Sequence, residues 1–200
     1  MLLIKPVRNA SGKVEHIETH LTGHRLLNNS ALNKGCAFTL EERHEFNLDG
    51  AIPHWVETLD EQVNRMYQQY QEKESNLQKN IFLNQLHDTN QVLFYKLVSD
   101  HLKEMLPIIY TPTVGEAVEK FSQELRRPRG LYLTYADREY MDFAFSNRSP
   151  NEVDLVVVSD GGRVLGIGDQ GIGGMDICIA KLMVYTLCAG INPNRVLPLS

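Results

Sequence analysis

Several classes of protein are excluded by what this sequence lacks. Its cysteines, Cys36, Cys178 and Cys188, are odd in number and far from any C-x-x-C spacing. That argues against a disulfide framework or a zinc ribbon and leaves buried reduced thiols as the expectation. Basic charge is in deficit: Lys+Arg total 20 against 25 Asp+Glu, a net charge of −5, whereas nucleic-acid-binding domains are usually basic overall. No apolar run is read as approaching the roughly 18–20 residues of a membrane span. The opening stretch MLLIKPVRNASGKVEH has no long apolar core and meets Glu15 early, so it reads as neither a secretory signal nor a transit peptide. Internal repeats and low-complexity linkers are also missing. The sequons Asn9-Ala-Ser11 and Asn147-Arg-Ser149 therefore carry no glycosylation argument. Together these absences predict a cytoplasmic chain with neither nucleic acid nor membrane as partner.

What is there describes ordinary globular protein. The 200 residues are 42% hydrophobic and 22% charged, enough for one domain or two small ones. Up to about Arg127 the signals are helical. Thr39/Glu42, Thr58/Glu61 and Thr113/Glu116 each place Glu three positions after Thr. The hydroxyl can cap an orphan N–H while the Glu reaches back to the Thr backbone, so each is read as a helix start. Apolar stripes at helical spacing follow: Val63, Met66, Tyr67 and Tyr70; then Leu93, Leu97, Val98, His101, Leu102 and Met105, ending at Pro107; then Val114, Ala117, Val118, Phe121 and Leu125. These are core faces rather than cofactor boxes.

Beyond Pro128 the period changes. Gly130–Tyr135 and Asp154–Ser159 read as strands, the second a continuous apolar run suited to a parallel sheet covered on both faces. Asp160-Gly-Gly-Arg163 is a turn into a further strand, Val164–Ile167. A glycine-rich loop leads into an apolar helix over about Asp176 to Ala189. Asn192-Pro193 stops it and Arg195–Leu199 begins another extended segment. The fold class is thus α/β. Residues 1–33 are an N-terminal extension and residues 34–128 a mostly helical domain. Residues 129–200 are the first strands and helices of a Rossmann-like, parallel-sheet domain, read as truncated because its last strand has no helix behind it.

Five constellations bear on chemistry. Gly166-Ile-Gly168-Asp-Gln-Gly171 matches G-x-G-x-x-G between a strand and a helix, the context of a pyrophosphate-binding turn. No Asp or Glu occurs from Ile177 to Ser200 to hold a ribose, so a close-packed turn lining a site is preferred. His16, His20 and His24 recur every four residues, but Thr22 and Gly23 are poor helix formers, and a flexible, solvated segment is expected. Arg126-Arg127-Pro128-Arg129 is a basic run at the domain junction, expected to be solvated or paired with carboxylates. Lys181 sits in an apolar helix, where desolvation would favour its neutral, basic form as readily as its stem would snorkel to the surface. Tyr110, just ahead of a helix start, either packs or presents its hydroxyl to a cleft as a proton donor.

Longer strings carry a resemblance. Ala37-Phe-Thr-Leu-Glu-Glu-Arg43, Pro107-Ile-Ile-Tyr-Thr-Pro-Thr-Val-Gly-Glu-Ala117, Arg126-Arg-Pro-Arg-Gly130 and Ser159-Asp-Gly-Gly-Arg-Val-Leu-Gly-Ile-Gly-Asp-Gln-Gly171 resemble malic enzymes closely. The likeness runs from about Asn33 to Leu199. It implies oxidative decarboxylation of L-malate to pyruvate and CO2 with NAD or NADP and with Mg or Mn. Tyr110 then matches the general acid that protonates enolpyruvate. Lys181 matches the base that takes the substrate hydroxyl proton, and Arg163 the arginine that binds malate near the nicotinamide. The resemblance makes Gly166–Gly171 an active-site loop. It places the metal ligands and the nucleotide-binding domain beyond Ser200, so that residues 1–200 alone are expected not to turn over malate. It also implies a homo-oligomer, dimer or tetramer, for the full-length protein.

The chain departs from the family pattern at several positions. Asp176, Cys178 and Ala180 stand where the family commonly has Gly, Pro and Gly, and an added Asp could disturb the loop or pair with a cation. Glu57 and Arg65 match two residues of a fumarate-activating site of some animal members, while Thr89 stands at that site's arginine position. Two other readings stay open: a malolactic enzyme, which releases lactate, and a non-catalytic assembly module.

Overall fold

The computed structural model describes residues 4–148 and 153–200. Met1–Leu3 of the opening stretch and Ser149 of the second sequon lie outside the described residues. The chain begins with an antiparallel hairpin, β1 (Ile4–Arg8) and β2 (Val14–Thr19), in which Val7 faces His16. The segment is solvated as expected, with His16, His20 and His24 all exposed, but it is ordered into regular elements. His16 lies on a strand, and His24 on a short helix, α1 (Gly23–Leu27).

The helical part follows: α2 (Leu40–Glu45), α3 (Leu59–Gln71), α4 (Asn76–Thr89), α5 (Gln91–Asp100), α6 (Leu102–Ile109) and α7 (Thr113–Glu119). Thr39 and Thr58 form the expected capping boxes with Glu42 and Glu61. Thr113 does not, because Pro112 occupies the cap position and Thr113 is buried inside the first turn. Ser75 and Gln78 make a further capping box at the start of α4, a helix whose stripe the sequence does not advertise. The stripe from Leu93 to Met105 is buried as expected, but it is carried by two helices that break at His101, and Pro107 sits inside α6 rather than ending it. The last stripe ends early, since α7 stops at Glu119 and Leu125 is 96% exposed.

The main core gathers Tyr70, Leu83, Phe94, Leu97, Val98 and Met105 from α3 to α6 and takes in Met183 of α9 (Gly174–Ala189). Burial of such side chains, roughly 1.5–3 kcal/mol each, binds α9 to the helical part. By length and composition the stretch Gly171–Ala189 would qualify as a membrane span, 19 residues of mean hydropathy 1.5. This corrects the reading that no apolar run approaches that length. Here it is a core helix, packed on α6, α7 and the sheet.

After α8 (Met141–Arg148), β3 (Leu155–Val158) pairs in parallel with β4 (Val196–Leu199), Leu155 facing Val196 and Val158 facing Leu199. Gly130–Tyr135 is extended only in part. Leu131 bridges Leu199 in parallel, and Leu133 N–H donates to the Ser200 carbonyl at 2.8 Å. The two-sided burial expected of β3 is not met within this chain, where Val156 and Val158 are exposed. Val164–Ile167 is not a strand. Val164 and Gly168 exchange backbone hydrogen bonds of 2.8 and 2.9 Å across a turn, because the glycines at 166 and 168 fold the chain back. Of the three free thiols only Cys178 is buried.

Candidate active site

Tyr110 is the C-cap residue of α6. Its N–H donates to the Leu106 carbonyl at 3.0 Å, and its own carbonyl accepts from Val114 N–H at 2.8 Å. The corner through Thr111 and the cis Pro112 therefore hangs between two helices and leaves the ring at their junction. The ring touches the main core on one side. On the other it meets a smaller cluster made by Val114 and Val118 of α7, Ala180 and Ile177 of α9, and Ile167 of the glycine-rich loop.

Lys181 follows Ala180 on α9. Its Nζ stands 5.5 Å from the centre of the Tyr110 ring, a cation–π distance. The Tyr110 hydroxyl, first as a hydrogen-bond partner and then through its charge, holds the Lys181 ammonium above the ordinary lysine range and outweighs desolvation. Of the two readings left open for Lys181, full desolvation is not met: the residue is only partly buried and lies beside a phenol that favours its charged form. The two candidate acid–base residues, 71 positions apart in sequence, are thus brought into contact.

Arg163 lies in the loop that joins β3 to α9. The loop closes on itself through Gln170 N–H to the Gly161 carbonyl, 2.8 Å, and is capped by Ser159 Oγ and Asp160 Oδ1, which each accept a 3.0 Å bond from a glycine N–H. Ile167 pins it to α7, where a Cβ on Gly115 would come within 3.3 Å of the Ile167 side chain. Arg163 itself is exposed, and no ion pair or hydrogen bond holds it among the described residues. The loop thus sits beside Tyr110 and Ala180 with the Arg163 side chain exposed.

The glycine-rich stretch differs along its length. The first turn of α9 is covered by its own chain, with Gly173 against Val118 and Gly174 against Gly161, where a Cβ would lie 2.8 Å from the Gly161 Cα. The motif glycines Gly166, Gly168 and Gly171 are themselves open, a Cβ at each meeting nothing within 4 Å. Among the described residues no three His, Cys, Asp or Glu side chains gather into a group that could hold a metal.

The basic run finds carboxylates, as expected. Arg126 Nη1 meets Asp176 Oδ2 at 2.5 Å and Arg129 Nε meets Asp88 Oδ1 at 2.6 Å. Burial pushes the Asp176 carboxyl up, opposed by the charges of Arg126 and Arg129. Cys178 is likewise pushed up by burial, its Sγ 3.6 Å from the Leu199 carbonyl oxygen. Glu57 and Arg65 pair with each other through two bonds of 2.6 and 3.1 Å. No hydrogen bond or ion pair links them to Tyr110, Lys181 or Arg163. The Thr89 hydroxyl turns back to the carbonyls of Gln85 and Leu86.

Comparison with known proteins gives this geometry a context. The family model described as "Malic enzyme, N-terminal domain" matches residues 87–200. The chain belongs to the malic enzyme family. Among malic enzyme relatives, the "NAD-dependent malic enzyme" of Acinetobacter baylyi is 53% identical over 178 residues, which are 89% of this chain and 31% of that protein. The "NAD-dependent malic enzyme 2" of Vibrio vulnificus is 51% identical over 177 residues, 88% of this chain and 32% of its own length. The chain thus spans about a third of the curated malic enzymes it matches. The family match begins inside α4 and takes in Tyr110, the Arg163 loop and Lys181.

Proposed function

We propose that this chain is the part of an NAD-dependent malic enzyme that supplies the proton-transfer groups and the substrate arginine, in the conversion of L-malate to pyruvate and CO2. The contact between Tyr110 and Lys181 is the observation that carries the reading, since it joins the two residues whose roles the family resemblance supplies. NAD, when bound, accepts the hydride from C2 of malate. On this reading Lys181 Nζ takes the proton of the C2 hydroxyl, which makes hydride departure easier. Arg163 forks onto a malate carboxylate and orients C2 toward the lysine. After CO2 leaves, the Tyr110 hydroxyl delivers a proton to C3 of enolpyruvate, and Lys181 beside it is placed to return the proton that it took. Lys181 must first shed its proton. Substrate entering over Tyr110 displaces the phenol contact and desolvates the ammonium, and both changes favour the neutral form.

The same proposal covers organisation. β3, α9 and β4 form a β–α–β unit with adjacent parallel strands, which supports reading residues 129–200 as the start of a Rossmann-like substrate-binding domain, after a helical domain at 34–128 and an extension at 1–33. Mg or Mn, a cytoplasmic location and a homo-oligomer rest on the resemblance, and no step is assigned to the metal here. The test is product analysis on the full-length gene product given L-malate, NAD and Mn²⁺. Pyruvate and NADH in equal amounts support the proposal. Lactate without net NADH would identify the malolactic reaction instead, and no malate consumption would overturn both.

A further inference from the structure

The segment after α7 carries three arginines in four residues, one reaching α7 and α9 and two reaching the end of α4. Arg126 Nη2 donates to the Ala117 carbonyl of α7 at 3.0 Å while its Nη1 holds Asp176 in the first turn of α9. Arg127 donates to the Asp88 carbonyl, and Arg129 to the Asp88 carboxylate and the Asn84 carbonyl, all at the end of α4. One short stretch therefore ties α4, α7 and α9 together. The Arg126–Asp176 pair is the only tie among these ion pairs that reaches α9, and its side chains are 21% and 14% exposed.

Asp176 stands five residues before Lys181. At about 1.5 Å rise and 3.6 residues per turn the two side chains leave the helix roughly 140° apart and about 7.5 Å apart along its axis. The carboxylate thus grips α9 from the side that faces α7 while Lys181 points to Tyr110. The neighbouring contacts of this turn are sliding surfaces: Gly173 on Val118, Gly174 on Gly161. Glycine and methyl contacts set the distance between helices but tolerate small rotation. A charged fork bonded to a fixed carbonyl does not, because its strength depends on direction.

We propose that Arg126 and Asp176 form a positioning pair that fixes the rotation of α9 and so holds Lys181 at Tyr110. This rests on the acid–base roles proposed above. It predicts a loss in the chemical step rather than in malate binding, since misplacing a reacting group by about an ångström costs up to a hundredfold.

The experiment uses the full-length gene product, with steady-state kinetics per folded molecule for wild type, D176A, R126M, the D176A/R126M double variant, R126K and K181A. Expected are kcat losses of about tenfold in D176A and R126M with KM for malate within twofold. The double variant should be no slower than the slower single variant, and R126K should recover at least half of the logarithmic loss of R126M. Losses that multiply in the double variant, or kcat within twofold of wild type in D176A, would overturn the pair as a positioning device. If R126M does not fold, D176A and R126K decide: an R126K enzyme as slow as D176A with raised KM overturns the proposal, and a fast R126K beside a slow D176A supports it. K181A separates the levels. Retention of the wild-type rate there overturns the assigned base role and this inference together, whereas a dead K181A beside a fast D176A overturns only the inference.

Discussion

Lys181 on α9 and Tyr110 at the end of α6 meet with the ammonium 5.5 Å from the ring centre. Two elements set this contact independently: the cap of α6, which orients the tyrosine, and the packing of Ala180 against Val114 and Val118, which places the next residue of α9. If the two residues divide proton transfer as proposed, each is needed for a different proton. In the full-length gene product Lys181→Ala and Tyr110→Phe should then each lower kcat by about 10²–10⁴-fold, measured as malate-dependent NADH formation. Because Tyr110→Phe keeps the ring that packs on both clusters, its melting temperature should stay near that of the wild type. A Tyr110→Phe enzyme with unchanged kcat would remove the acid role.

His87 gives the stability of the fold a pH dependence of known sign. Its ring lies edge-on to Phe94 at 4.8 Å and to Tyr95 at 5.5 Å. Burial first, and the nearby Arg129 second, push it down to about 3 from an ordinary 6.5. The unfolded chain therefore binds a proton below about pH 6.5 that the folded chain refuses until near pH 3, so stability falls as pH drops through that window. One such proton corresponds to a slope of at most about 1.4 kcal/mol per pH unit. Urea titrations between those limits should show a shallower slope in His87→Gln than in wild type, and equal slopes would exclude the effect.

The local features that the sequence announces survive because their physics is local. Thr39 and Thr58 cap helices since the cap and its Glu are three residues apart, whatever the rest of the chain does. Ser75 and Gln78 use the same chemistry with other residue types. Thr113 fails because Pro112 takes the cap position ahead of it. The segment Val164–Ile167 has strand composition, but two glycines with positive φ close it into a turn. Lys181 was legible as an unusual residue in an apolar helix, but the choice between a desolvated base and a snorkelling cation stayed open, since Tyr110 lies far away in sequence. The partner of Asp176 was open for the same reason: Arg126 is 50 residues distant, and only the folded chain selects it from the basic run.

Arg43 should be among the costliest side chains to remove. It is 3% exposed and donates to five carbonyls, those of Phe38, Pro53, His54, Cys36 and Trp55. It thereby ties α2 to the loop that leads into α3. Hydrogen bonds from a charged donor contribute roughly 1.5–3 kcal/mol each, and the orphaned carbonyls add their own desolvation cost. Arg43→Met should destabilise the protein by about 3–5 kcal/mol in urea unfolding. Arg43→Lys should recover only part of it, since an ammonium offers three donors against the five of a guanidinium.

The loop that carries Arg163 provides the sharpest separation of binding from folding. Gly161 and Gly166 both have positive φ, +67° and +84°, so an alanine at either position carries a similar strain of about 1–2 kcal/mol. Their surroundings differ. A Cβ on Gly161 would overlap the Gly171 carbonyl, whereas one on Gly166 meets nothing within 4 Å. Gly161→Ala must therefore open the closure between the two ends of the loop, which Gln170 N–H and the Gly161 carbonyl hold at 2.8 Å. Arg163, two residues on, moves with it. If Arg163 binds the malate carboxylate, KM for malate of the full-length gene product should rise about tenfold in Gly161→Ala, on the scale of one charge-assisted hydrogen bond. In Gly166→Ala it should rise less than about threefold, even though both variants lose comparable stability from backbone strain. Equal KM values in the two variants would show that loop closure does not control substrate binding, and would count against Arg163 as the malate-binding group.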